Sequence, residues 1–241
     1  MQYQRPHRIG PPKTPSVVKI ILALILFISV ITAIVTPFLK SNYLIYLFGI
    51  SLEGIKNFFF WQFFTFSLLQ PGYGLDISFI IVIIFNLYII WVTATTIVEN
   101  TSQKGYLIFY LLSSIFTGLV VLLTMLFGSQ NYVFANSTIT LYATLIAWMM
   151  IVPSDTRIFL FFAIPIKHYW LVLGLIGYNL LSSLSTMQLI PFFAYLSVSL
   201  FAYFYAVIVW QRFSPFIHLN KMERRLIYTS SRISQKFRKK P

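Results

Sequence analysis

The chain is poor in the side chains that usually carry chemistry. Its 241 residues include three histidines, five carboxylates and no cysteine. Without cysteine there is no thiolate metal site, disulfide, thiol nucleophile or palmitoylated thiol. What remains inside the long apolar runs is hydroxyls and amides: Asn86, Ser137, Thr138, Thr140, Thr144, Asn179 and Ser197. A hydroxyl is a nucleophile only beside a base that takes its proton, at a heavy-atom contact of about 3 Å. The histidines are His7 and His218, outside the apolar runs, and His168 at the start of one. Among the carboxylates, Asp76 and Glu99 flank an apolar run, and Asp155 and Glu223 lie outside them. Ion-coupled transporters and proton pumps need an ionisable group within the membrane, so that class is disfavoured.

The elements that must position these residues follow from composition. Apolar residues make up 58% of the chain and charged residues 10%, against roughly 45–50% and 25% in soluble domains. Mean hydropathy is +0.80. This excludes a soluble enzyme, a nucleic-acid-binding domain and a disordered protein, because a soluble fold cannot hide that much apolar surface. The chain reads as an all-α polytopic membrane protein, since a helix needs about 20 apolar residues to cross the hydrocarbon core. Six spans are expected, at about 17–39, 77–98, 106–127, 135–152, 169–186 and 189–210. A disordered basic tail, 1–16, precedes this membrane domain of 17–210, and a second basic tail, 211–241, follows it. Pro153-Ser154-Asp155 and Gly128-Ser129-Gln130-Asn131 are expected turns. Ala143 and Ala147, with Ala194, Val198, Ala202 and Ala206, repeat every four residues and predict a close crossing of the fourth and sixth helices.

The net charge of +13 sits at the ends. Arg5, Arg8, Lys13 and Lys19 lie at or before the first span, and nine basic residues from Arg212 to Lys240 follow the last. The positive-inside rule then places both termini in the cytoplasm. Anionic lipid at the C-terminal cluster is an expected partner, and nucleic acid is not. The loop 40–76 is far longer than most connections, and such loops are usually functional. It contains Phe58-Phe59-Phe60-Trp61-Gln62-Phe63-Phe64, rings that favour a membrane interface. Aromatic burial, Trp61 foremost, is expected to hold it, with Gln62 contributing less.

The motifs, taken in order, resemble those of the rhomboid family of intramembrane serine proteases and their inactive relatives. Trp61-Gln62-Phe63-Phe64-Thr65-Phe66 resembles the first-loop Trp-Arg motif, with Gln62 in place of Arg. Ile84-Phe85-Asn86-Leu87-Tyr88 resembles the second-helix motif that supplies an oxyanion-hole Asn. Glu99, Gly105-Tyr106-Leu107 and Tyr110-Leu111-Leu112-Ser113 resemble the link into the third helix, and Ala135-Asn136-Ser137-Thr138 stands at the Gly-x-Ser-Gly motif. The resemblance implies a six-helix rhomboid-like bundle with Ser137 at the nucleophile position and Asn86 at the oxyanion position. Asn86 has a plainer reading as well, a bond to a neighbouring backbone carbonyl.

The departures point to an inactive relative. Tyr195 stands in place of the sixth-helix His, and a phenol with a pKa of about 10 is protonated at neutral pH. Asn136 and Thr138 are bulkier than glycine, and Val82 replaces a second oxyanion donor. His168 is expected at the far end of the bundle from Ser137, about a bilayer thickness or 30 Å away. The implied function is a Derlin-like pseudoprotease that binds transmembrane client proteins, in a bacterial plasma membrane or the endoplasmic-reticulum membrane. An active endopeptidase with an unconventional base, or an unrelated six-helix transporter, are the alternatives. No cofactor and no metal site is expected. Topology reporters fused at Arg5 and at Gln235 should both report the cytoplasm; a signal from the opposite side at either end would refute six spans.

Overall fold

The computed structural model describes residues 13–128, 132–160 and 164–238. Residues 1–12 of the disordered tail expected over 1–16, the turn residues 129–131 and the terminal residues 239–241 lie outside the described residues. The chain runs from α1 (Ser16–Leu39) through three short loop helices, α2 (Tyr43–Phe48), α3 (Leu52–Lys56) and α4 (Gln62–Thr65). Then come α5 (Ile77–Asn100), α6 (Gln103–Gly128) and α7 (Thr138–Ile151). A hairpin of β1 (Arg157–Leu160) and β2 (Ile164–Lys167) leads to α8 (His168–Ser185), α9 (Leu189–Ile208) and α10 (Asn220–Arg238).

Four helices are long and apolar enough to cross a membrane: α1, α5, α6 and α9, with 24, 24, 26 and 20 residues. At about 1.5 Å per residue the shortest of them is roughly 30 Å long, the thickness of the hydrocarbon core. The fourth and fifth expected spans fold as shorter or more polar helices. α7 is 14 residues, about 21 Å, and α8 carries Asn179, Ser182, Ser183 and Ser185. The reason for the short α7 is its position. Nearly every residue from Ile139 to Met150 is buried, so α7 is wrapped by protein and need not match the thickness of lipid. α9 packs most extensively on α6 and α7, and Ala194, Val198, Ala202 and Ala206 are all fully buried along it. The predicted close crossing of α7 and α9 is present.

Two expectations need correction. The chain is not wholly α. Residues 157–160 and 164–167, between the fourth and fifth expected spans, form an antiparallel hairpin with Arg157 opposite Lys167 and Phe159 opposite Pro165. Each of these strands has only one neighbour, which is where a proline is tolerated. The residues after α9 are also not a plain tail, because α10 packs back onto α9. Its Glu223 is fully buried, accepting from the Tyr203 hydroxyl at 2.7 Å and the Ser214 amide at 3.1 Å.

The loop between α1 and α5 folds against the bundle. Its first half is pinned by Gln62, which is fully buried. The Gln62 amide donates to the Tyr46 carbonyl at 2.7 Å and accepts from the Ser51 amide at 3.2 Å. A Cβ on Gly54 would lie 2.3 Å from that amide, so only glycine leaves room for it. Trp61, by contrast, is 44% exposed, stacks on Phe59 at 4.7 Å and donates to the Leu47 carbonyl at 3.0 Å. The expected ranking of these two residues is therefore reversed. The buried amide does what aromatic burial was expected to do, because it satisfies two backbone groups that nothing else reaches. Gln62→Ala should strand both groups, at about 1–3 kcal/mol each. Trp61→Ala should cost less, roughly the 0.5–1.5 kcal/mol of a stacked pair plus one exposed bond. Thermal unfolding in detergent should show the larger drop for Gln62→Ala, and the opposite order would refute this account.

Candidate functional site

The loop's second half enters the bundle and meets the start of α7. Ile50 and Phe134 form an antiparallel bridge, and the Asn136 amide donates to the Phe66 carbonyl at 2.9 Å. These bonds hold Phe134–Asn136 extended up to the first turn of α7. The Asn136 carbonyl oxygen of the side chain then accepts from the Thr138 amide at 2.9 Å, a capping interaction that suits asparagine. Helix and loop together thus fix two neighbouring side chains, Asn136 and Ser137.

These two side chains have different partners. The Ser137 hydroxyl is buried and donates to Gln70 Oε1 at 2.9 Å. The Asn136 amide donates to the Tyr195 hydroxyl on α9 at 3.0 Å. Tyr195 meets Tyr142 edge-on at 5.3 Å, and Tyr142 is in hydrogen-bond contact with Asn179 of α8. Asn86 reaches the Thr138 hydroxyl at 3.4 Å, not a backbone carbonyl as its plainer reading had it. Asn86, Ser137 and Tyr195 therefore do converge on one end of α7, through Thr138, Gln70 and Asn136 respectively. Tyr195 is bonded to the residue before Ser137, and its hydroxyl is not the partner of the Ser137 hydroxyl.

The histidines are elsewhere. His168 is buried near the other end of α7, its ring nitrogens 3.2 Å from the Thr156 carbonyl and 3.4 Å from the Met149 carbonyl. Twelve helical residues separate Met149 from Ser137, about 18 Å at 1.5 Å each. This is less than the bilayer thickness expected, because α7 is short, but it is still far beyond proton transfer. His218 lies in the short turn Ile217–Leu219 before α10. Among the described residues, no three His, Asp or Glu side chains gather where they could hold a metal.

A cleft of about 360 Å³ opens beside these groups. Its polar lining includes Asn136, Asn179, Ser182, Gln188 and Tyr195, with Pro71 and Phe134 among the apolar walls. All of its polar groups are uncharged amides and hydroxyls. Such a lining can donate and accept hydrogen bonds but cannot move a proton at neutral pH. Gln70 is the residue that sequence reasoning missed. Its one signal is a lone polar side chain closing an apolar run before Pro71-Gly72. An amide oxygen accepts a hydrogen bond without acting as a base, so Gln70 holds Ser137 without activating it.

Compared with known proteins, the chain matches no protein-family model, and no curated protein matches it.

A fluorophosphonate probe in native membranes should leave Ser137 unlabelled. Gln70→Ala should lower thermal stability, since the buried Ser137 hydroxyl loses its acceptor, at about 1–3 kcal/mol, and should create no labelling. Labelling that disappears in Ser137→Ala would show that a base reaches the hydroxyl after all.

Proposed function

We propose that this chain is a rhomboid-like membrane protein that binds the transmembrane helices of client proteins and does not cut them. The observation that carries this reading is the Ser137 hydroxyl donating to the amide of Gln70, with every histidine of the described residues remote from it. In this reading α7, wrapped by protein, and α8, at the edge of the bundle, complete six crossings. Both tails then face the cytoplasm, and the basic C-terminal residues lie against anionic lipid.

A second feature supports client binding. α5 and α8 both flank the site, but they make no substantial contact with each other. α8 buries only His168, Val172, Ile176 and Ser183 of its 18 residues. Val82 lies one turn before Asn86 on the same face of α5, yet it is 38% exposed. A helix arriving from the lipid between α5 and α8 would meet apolar walls first. It would then meet the polar pairs Asn86–Thr138 and Tyr142–Asn179. Interhelical hydrogen bonds of this kind are worth about 0.6 to 2 kcal/mol in a bilayer. They would select clients with a polar or helix-breaking residue at that depth, because an uninterrupted apolar helix has nothing to bond.

Photo-crosslinking residues placed at Val82 and at Ser182 should capture membrane-helix clients. The same residue at Leu123, on the lipid-facing side of α6, should not. Equal capture from all three positions would show only random encounters in the bilayer and would refute a client site between α5 and α8.

A further inference from the structure

At the opposite end of α7 a second cavity, of about 380 Å³, lies between the ends of α7 and α9 and the start of α10. Its apolar lining includes Met150, Ile151, Phe213 and Ile217, and its polar lining includes Ser154, Gln211, Arg212 and Asn220. This amphipathic lining sits where two apolar helices end and the most basic stretch of the chain begins.

Three features of the polar lining suit a polar, anionic ligand. The Arg212 guanidinium makes a single long bond, 3.5 Å to the Asn100 carbonyl at the end of α5, and so keeps most of its five donors for something else. The Asn220 side-chain oxygen is buried without a hydrogen-bond partner, and a buried acceptor of this kind calls for a donor from a ligand or water. Gln211 adopts the left-handed backbone, with φ 54°, a conformation that favours glycine and turns the chain sharply to bring Arg212 to the rim. The surrounding field is positive. Lys221, Arg224 and Arg225 are exposed on α10, while Glu223 is turned inward to Tyr203 and Ser214. Asp155, next to Ser154, and Glu99, next to Asn100, are the opposing carboxylates at this end.

We propose that this cavity binds the headgroup of an anionic phospholipid that carries a hydroxyl donor, with Arg212 on the phosphate and Asn220 accepting from the hydroxyl. The apolar lining receives the glycerol backbone and first acyl carbons. Phe213 and Ile217 are exposed there and offer those carbons an apolar surface. The exposed basic residues of α10 raise the local concentration of anionic lipid without contacting the bound molecule. The proposal rests on the membrane placement of the long helices, and not on client binding.

The test uses the full chain in bilayer discs of phosphatidylcholine doped with phosphatidylglycerol, with retained lipid identified by native mass spectrometry. Phosphatidylglycerol should be retained in preference to phosphatidylcholine. Arg212→Gln should cut that preference by about tenfold or more, as a lost charge-assisted bond does. Arg224→Gln with Arg225→Gln should reduce it by about fivefold per charge, and only at low salt. Asn220→Ala should abolish the preference for phosphatidylglycerol over phosphatidic acid, which has no headgroup hydroxyl beyond the phosphate. Ser154→Trp, at the exposed rim, fills the cavity with Arg212 intact and should mimic Arg212→Gln if that variant fails to fold. Equal retention of both lipids by the wild type, or unchanged preference in Arg212→Gln or Ser154→Trp, overturns the proposal. Displacement of the lipid by free inorganic phosphate would show a simple anion site and overturns it as well. Client crosslinking at Val82 is independent of all four variants, so the two readings fail separately.

Discussion

The structure depends on how a stretch of irregular backbone is satisfied inside an apolar bundle. Residues Ser67 to Gln70 run through the protein interior outside any helix, with only the Leu68 amide bonded back to α4, at the Thr65 carbonyl. In a low-dielectric setting each unpaired amide or carbonyl is costly. The surrounding helices supply hydroxyls at the needed points. Thr140 of α7 donates to the Ser67 carbonyl at 2.8 Å, and Ser29 of α1 accepts from the Gln70 amide at 2.9 Å. Ser114 of α6 meets the Ser67 hydroxyl at 2.7 Å. Three helices thus spend a polar side chain each on one loop. This arrangement fixes where Gln70 points, and through Gln70 the state of Ser137.

The same economy explains the chemistry at the N-terminal end of α7. A charged base there would need its own solvation, and nothing in the neighbourhood provides it. Amides and phenols, by contrast, are satisfied in pairs: Asn136 with Tyr195, Asn179 with Tyr142, and Gln70 with Ser137. The cluster is a closed set of neutral hydrogen bonds beside an open cleft. In the proposed function these groups meet a polar residue on an incoming helix.

The long helices were legible in the sequence because lipid imposes length and apolarity directly on the chain. α1, α5, α6 and α9 follow from uninterrupted apolar runs alone. The crossing of α7 and α9 was legible too, since small residues every four positions have no other use in a bilayer. The roles of Gln62 and Gln70 were not legible. Both act on groups distant in sequence, Gln62 on the backbone of Tyr46 and Ser51 and Gln70 on the Ser137 hydroxyl, and composition favours the aromatic rings around Gln62. The hairpin at Arg157–Lys167 was hidden by its apolar content, which near a membrane resembles the flank of a span. The helix α10 was hidden by its charge, which drew attention to sign and away from periodicity.

The shortness of α7 bears on how the protein is made. A 14-residue helix has too little apolar length to leave an insertion channel for lipid by itself. In the six-crossing arrangement proposed above it would wait beside α6, synthesised just before it, until α9 emerges roughly fifty residues later and closes the other side. On that reading the chain is committed to the bilayer in pieces and acquires its centre last. A lesion in α9 would leave α7 as an orphan segment, exposed to the quality-control machinery of the membrane, even though every residue of α7 itself was intact.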